Sequence, residues 1–208
     1  MESETENMIA NMKENIKLAS LNLLIVGVGG QGTLLSSKIV GNVALAAGYD
    51  VKVSEVHGMA QRGGSVVTYV RLASKVYSPL IEKGEADIIL AFEELEALRW
   101  IEYLKPEGLI IINEQRINPM SVITGKQKYP EGCIETIRSS SAKTITVKAL
   151  EAAKKCGSTK AVNIVMIGVL SRFTGISKEK WLDAIKVGVS AKTLTTNIAA
   201  FEEGYSLV

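Results

Sequence analysis

An apolar run that breaks into glycine and restarts as a helix limits what this 208-residue chain can fold into. Leu23-Leu24-Ile25-Val26 has strand length, Gly27-Val28-Gly29-Gly30-Gln31-Gly32 interrupts it, and helix-compatible sequence follows from Thr33 to about Ala47. A second apolar run, Val51 to Val56, leads into His57-Gly58-Met59-Ala60-Gln61-Arg62-Gly63-Gly64. The order is strand, glycine turn, helix, strand, then a second glycine-containing loop. In a parallel sheet both loops emerge at the carboxyl ends of their strands, where open α/β sheets place their sites.

The alternation continues down the chain. Ser65 to Arg71 is rich in β-branched residues and reads as a strand. Asp87 to Phe92 and Leu109 to Asn113 are short apolar runs of the kind buried on both faces of a sheet. Between them, Glu93 and Glu94 open a helix at the end its dipole favours, and Lys105-Pro106-Glu107-Gly108 closes it. Cys133 to Ile137 reads as a further strand, and Ser139-Ser140-Ser141 as a loop. Helices follow at roughly 146–156, 161–173, 178–187 and 191–203, with Gly157, Gly175 and Gly204 at their ends and Ser158, Ser177 and Ser190 as N-caps. Gly41 and Gly48 bracket the end of the first helix. Residues 1–20 form an N-terminal arm, with a short helix or frayed segment over 5–18, and 21–208 a single domain. The expected fold is α/β: a three-layer, Rossmann-like domain with a largely parallel sheet and a helical C-terminal portion.

Charge and composition remove several classes of function. With 24 basic against 22 acidic residues and 5% aromatics, nothing points to nucleic acid or to a polybasic membrane surface. Cys133, Cys156 and one histidine fall short of the roughly four clustered ligands that an iron–sulfur or structural zinc site takes. Glu2, Glu4 and Glu6 are unlike a secretory leader, and Ala161 to Leu170 is too short for a membrane span, so the expected location is cytoplasmic.

The glycine loop matches the dinucleotide fingerprint in context as well as in letters. Gly27 permits a tight turn, Gly29 lets the backbone approach a ligand, and Gly32 allows close packing of helix on strand. Gly30 and Gln31 lie within the same turn, and Glu55 sits about where a ribose-binding acid belongs. Against a nicotinamide enzyme, His57 is the single histidine and no acid/base cluster or substrate domain accompanies it. In the second loop Gly58, Gly63 and Gly64 free the backbone, while Gln61 and Arg62 offer an amide and a guanidinium to phosphate or carboxylate. The candidate binding residues are therefore Gly27, Gly29, Gly30, Gln31, Gly32, Glu55, His57, Gln61, Arg62, Gly63 and Gly64. No catalytic or metal-ligating residue is assigned. An NAD(P)-dependent oxidoreductase and a stand-alone nucleotide- or coenzyme A-binding module both remain open at this point.

Glu-Val-His-Gly-Met-Ala-Gln-Arg-Gly-Gly-Ser-Val at 55–66, together with Gly-Val-Gly-Gly-Gln-Gly at 27–32, resembles the gamma-type domain of 2-oxoacid:ferredoxin oxidoreductases. Ser78-Pro79-Leu80-Ile81, Gly84-Glu85-Ala86-Asp87, Phe92 to Arg99, Ala161-x-Asn163 and Asn197-x-x-Ala200-Phe201-x-x-Gly204-Tyr205 extend the likeness over about 21–206. It is greatest to the indolepyruvate, or arylpyruvate, branch and its small beta subunit. That resemblance implies a two-subunit enzyme of anaerobic metabolism. Such an enzyme decarboxylates arylpyruvates oxidatively to acyl-CoA and passes electrons to ferredoxin. Thiamine diphosphate and iron–sulfur clusters are then expected on a large alpha subunit. The gamma-type domain would serve the coenzyme A step and subunit packing. The lone chain would be inactive, with its self-association left open. The acidic lead over 1–20, and the lack of a glycine in Leu72-Ala73-Ser74-Lys75-Val76, depart from the family pattern.

Overall fold

The computed structural model describes residues 20–58, 63–140 and 142–208. The expected helix over 5–18 and the arm over 1–19 lie outside the described residues, as do Met59 to Arg62 and Ser141. In chain order the strands are β1 (Ser20–Val28), β2 (Asp50–His57), β3 (Ser65–Ala73), β4 (Ala86–Ala91), β5 (Leu104–Asn113) and β6 (Lys143–Val147). The α-helices are α1 (Thr33–Ala46), α2 (Glu94–Trp100), α3 (Met120–Ile123), α4 (Cys133–Arg138), α5 (Ala149–Lys155), α6 (Val162–Ser171), α7 (Lys178–Gly188) and α8 (Leu194–Ser206).

The six strands form one sheet in the order β2-β3-β1-β4-β5-β6. β1, β4, β5 and β6 run parallel, and β3 runs antiparallel to both β1 and β2. Side chains alternate across a pleated strand, so each apolar run feeds two cores. Leu23 and Ile25 of β1 pack with α1, α5, α6 and α8 on one face. Leu24 and Val26 pack with Ala97 of α2 and Ile137 of α4 on the other. The result is the expected three-layer α/β domain, and α6, buried over Asn163 to Ser171, is the centre of its helical layer.

Several local readings change. Lys105 to Gly108, expected to close the helix opened by Glu93 and Glu94, lie in β5, because α2 already ends at Trp100 and a single 3-10 turn leads into the strand. Cys133 and Ile137 are both buried and four residues apart, the spacing of one helical face, and this segment is α4 rather than a strand. The segment expected to start a helix at 146 instead ends the sheet. Ile145 and Val147 of β6 are buried while Thr144 and Thr146 are half-buried, and the strand lies parallel to β5. Gly48, at φ 88°, does stop the first helix, with its amide donating to the Leu45 carbonyl, whereas Gly41 lies inside α1. Among the described residues no helix is long and apolar enough to cross a membrane.

Gly204 does not end a helix. It lies within α8, where a Cβ would come 2.0 Å from the Val165 carbonyl oxygen of α6. Opposite it, a Cβ on Gly168 would lie 2.3 Å from the Phe201 carbonyl oxygen. The two helices touch backbone to backbone at this crossing. Gly204→Ala is expected to destabilise the domain by about 3 kcal/mol, the upper range for overpacking a core. Gly41→Ala, in a helix interior with nothing within 4 Å of the added methyl, should stabilise it by roughly 0.5–1 kcal/mol. Urea unfolding midpoints at unchanged slope measure both.

Candidate functional site

β1 has a parallel neighbour on one side and an antiparallel one on the other, so the sheet switches topology at its carboxyl end. The glycine loop emerges there. Gly27 is still in the strand, paired with Val66, and a Cβ on it would lie 2.9 Å from Gln31 Oε1 and 3.1 Å from Phe92 Cβ. Its bareness makes room for the Gln31 side chain, which folds back over the turn. Gly30 and Gly32 take φ of 106° and 85°, the left-handed region that only glycine enters freely. Gly32 is the N-cap of α1 and offers no side-chain oxygen, so the first turn of that helix has no side-chain cap.

The second loop lies against the first. Gly29 N–H donates to the Gly64 carbonyl at 2.8 Å, and Gly63 N–H donates to the Gly29 carbonyl at 3.3 Å. Both polar groups of Gly29 are therefore engaged by the neighbouring loop. This differs from the expectation that its backbone faces a ligand. Gln61 and Arg62 lie outside the described residues.

Gln31 is a prop. Its Oε1 accepts from the Val28 amide at 2.8 Å and its Nε2 donates to the Phe92 carbonyl at 2.9 Å, tying the ends of β1 and β4 together. Two carboxamides missing from the candidate set complete a lattice. Asn113, fully buried at the end of β5, donates to the Phe92 carbonyl at 3.1 Å and accepts from the Ala149 amide at 3.2 Å. Gln115 Oε1 accepts from Asn113 Nδ2 at 2.9 Å and from Gln31 Nε2 at 3.4 Å. The polar residue closing the apolar run of β5 was the one signal for this in the sequence.

Above the turn, between the loops and the N-terminal ends of α6 and α8, opens a cleft of about 1080 Å³. Gly29 to Gly32, Gly63, Gln115, Lys160, Asn163 and Asn197 are among its lining residues. Glu55 and His57 are not. β3 intervenes between β1 and β2, so Glu55 sits opposite Thr68, two strands from Ile25, or roughly 10 Å at the usual strand spacing. Glu55 accepts from the Thr68 hydroxyl at 3.3 Å, and the exposed His57 has its Nδ1 3.3 Å from the Gly58 carbonyl.

Beside the second loop, α2 begins with three buried carboxylates: Glu93, Glu94 and Glu96. Glu93 caps the helix, accepting from the Glu96 amide at 2.8 Å, from Tyr129 OH at 2.5 Å and from the Ile117 amide at 3.1 Å. Glu94 accepts from Arg116 Nε at 3.0 Å. Glu96 accepts from the Ser65 hydroxyl, next in sequence to Gly64, and from Arg99 at 2.9 Å. Burial pushes the Glu96 carboxyl above its ordinary 4.5, against the lowering pull of Ser65 and Arg99 and with added repulsion from Glu93. Burial, then the hydrogen bond to Glu93, raises Tyr129; burial, then the charges of Glu94 and Glu93, raises the Cys133 thiol. Cys133 in α4 and Cys156 after α5 are the two cysteines, and no group of three or more metal-ligating side chains occurs among the described residues. This donor set does not fit an iron–sulfur cluster.

Residues 22–207 match the family model described as pyruvate ferredoxin/flavodoxin oxidoreductase. The chain belongs to that family. It is 42% identical over 190 residues to indolepyruvate oxidoreductase subunit IorB of Thermococcus kodakarensis, covering 88% of this chain and 93% of that one. Its fold is similar to the gamma subunit of a keto/oxoacid ferredoxin oxidoreductase from Geobacter sulfurreducens. That likeness has a TM-score of 0.67 at 22% identity, over 89% of this chain and 96% of the other. It is also similar to 2-oxoglutarate:ferredoxin oxidoreductase from Magnetococcus marinus, solved with 2-oxoglutarate, coenzyme A and succinyl-CoA bound. There the TM-score is 0.70 at 21% identity, over 92% of this chain and 31% of that one. The same fold therefore occurs both as a small chain and as part of a much longer one.

The raised carboxyl of Glu96 has a consequence for stability. A carboxyl whose folded-state pKa lies above its unfolded value contributes stability that is present below about 4.5 and lost as pH rises through the elevated value. Glu96→Gln keeps an oxygen for Ser65 and removes the charge. Its stability relative to the parent chain is expected to improve steadily from pH 4 toward pH 7 in urea titrations. A trend against the variant would mean that the Arg99 and Ser65 contacts outweigh burial.

Proposed function

We propose that this chain is the beta subunit of a two-subunit, cytoplasmic indolepyruvate (arylpyruvate):ferredoxin oxidoreductase and is inactive alone. The observation that carries the reading is the 42% identity to the IorB subunit over nearly the full length of both chains. A large alpha subunit then carries thiamine diphosphate and the iron–sulfur clusters, in keeping with a cysteine pair here that does not fit a cluster. Ferredoxin receives the electrons through the complex. The nicotinamide reading loses its ground, because the acid meant for the ribose lies two strands away and the Gly29 amide is already engaged.

Within the complex, the cleft beside the glycine loops is the place for coenzyme A. Its volume of about 1080 Å³ is ample for part of a ligand of that size. Coenzyme A supplies the thiol that accepts the acyl group. This chain's part is to hold and orient it: the turn at Gly30 and Gly32 brings backbone and helix head to the cleft, and Gly63 shares the wall. Gln61 and Arg62 face either coenzyme A or the large subunit, Arg62 as the cation for phosphate or carboxylate. Gly27 and Gln31 shape the turn from behind.

The purified chain alone is expected to be colourless and unable to oxidise indolepyruvate; with the large subunit, coenzyme A-dependent reduction of ferredoxin should appear. An isolated chain that is brown, or that turns over unaided, would sink the proposal. Arg62→Ala should lower turnover or subunit affinity about tenfold to a hundredfold, the scale of one charge-assisted hydrogen bond, without unfolding the chain. Parental behaviour in both assays would make that loop an ordinary surface turn.

A further inference from the structure

The lattice under the glycine turn settles which way each carboxamide points, and that leaves a donor over. Backbone amides can only donate. The Val28 amide therefore fixes the oxygen of Gln31, and the Ala149 amide fixes the oxygen of Asn113. Each then turns its NH₂ toward Gln115, whose oxygen receives both. The NH₂ of Gln115 must point the other way, and no acceptor meets it among the described residues. Gln115 lines the cleft.

Asn163 supplies a second, independent sign. It is only 4% exposed and lines the cleft, yet its carboxamide has no hydrogen-bond partner among the described residues. It stands over the N-cap of α1, where a Cβ on Gly32 would come within 2.7 Å of its Nδ2. A ligand able to accept in the cleft would give this amide a partner. Gln31 touches Gln115, and the next residue, Gly32, lies under Asn163. Two unspent carboxamides thus flank one turn, at the head of a 14-residue helix with no side-chain cap.

We infer that Gln115 and Asn163 are phosphate-reading residues: their NH₂ groups, with the first-turn amides of α1, clamp a phosphate of the ligand in the cleft. All three donors are uncharged, and the positive end of the α1 dipole supplies the attraction for the anion. This rests on the reading of the cleft as the coenzyme A site and deepens it, by naming the group that is read and the side chains that read it. Neither residue takes part in bond making; both set affinity.

Gln115→Glu keeps an oxygen for Asn113 and Gln31 while replacing the cleft-facing donor with a negative charge. Asn163→Asp does the same at the helix head, where the dipole tolerates an acid. The two-subunit complex, parent and variants, is titrated calorimetrically with coenzyme A, with pantetheine (its phosphate-free arm) and with NAD. Both variants should lose at least tenfold in coenzyme A affinity and raise its KM with little change in kcat, at unchanged melting temperature. Pantetheine should bind parent and variants alike. Asn163→Ala, which only removes the donor, should show a smaller loss of the same kind and stands in if Asp at that buried position unfolds the chain. Variants that bind coenzyme A like the parent overturn the clamp and leave the functional reading intact. A parent complex that does not bind coenzyme A at millimolar concentration overturns both. NAD bound by the parent and lost in the variants keeps the phosphate clamp and overturns the coenzyme A assignment.

Discussion

The pairing of β3 with β1, unbroken from Ser20 opposite Ala73 to Val28 opposite Ser65, is the constraint from which the site follows. Because β3 runs back along β1, the chain that leaves β2 at His57 must return at Ser65 beside the exit of β1. The two glycine segments, separated by some thirty residues in sequence, are thereby forced edge to edge. Backbone hydrogen bonds between Gly29 and Gly63–Gly64 are the contact this produces. A loop held this way cannot also present the amide of Gly29 to a cofactor. An acid on β2 cannot reach across β3 to a sugar on β1.

What the pairing brings together, buried polar groups hold in place. The ends of β1, β4 and β5 and the start of α5 converge on Gln31, Asn113 and Gln115; Gln31 and Asn113 between them satisfy three backbone groups, the Val28 and Ala149 amides and the Phe92 carbonyl, that would otherwise be stranded between layers. Each unsatisfied group would cost about 1–3 kcal/mol, comparable to the net advantage of a whole core side chain. On the other side of the loops the carboxylates of α2 do similar work. Glu93 caps its helix and collects Tyr129 and Ile117, while Glu96 takes the hydroxyl of Ser65. The second loop is therefore anchored at its carboxyl end to α2 and at its glycines to the first loop.

The sheet was legible because its strands bury both faces, and continuous apolar runs such as 88–92 and 109–112 mark themselves. β6 was missed for the opposite reason: Thr-Ile-Thr-Val is short and runs into an alanine-rich helix with one residue between them. In Cys133 to Ile137 the β-branched letters outweighed the four-residue spacing of its buried positions. Gly204, set near a helix end by its letters, proved to be the contact of two backbones, which local sequence does not encode. The same limit applied to the candidate site. Glycines announce themselves by type, and Ala161-x-Asn163 entered only as part of a resemblance. The role of Gln115 depends on three strand ends and a helix start meeting, and no spacing along the chain reports that. The acids of α2 were read as favoured by the dipole, which holds for the cap of Glu93. Their burial depends on Ser65, Arg116 and Tyr129, about twenty to thirty-five residues away.

The letters Gly-x-Gly-x-x-Gly are shared with dinucleotide folds, yet the parts they play here are redistributed. Gly27 clears space for a side chain instead of turning the chain, and Gly29 is consumed by a neighbouring loop. Gly32, expected to let the helix pack closely on the strand, is the uncapped entry to α1 and lies under the Asn163 side chain. The residue that makes the difference is Gln31, whose carboxamide returns to the ends of β1 and β4 and seals the turn from beneath. The other side of the turn faces the cleft, which Gln115 and Asn163 also line. In the function proposed above, the turn is the floor for a ligand whose remaining contacts come from elsewhere. Such a floor suits a domain that binds one end of a long substrate and relies on a companion chain for the reacting end.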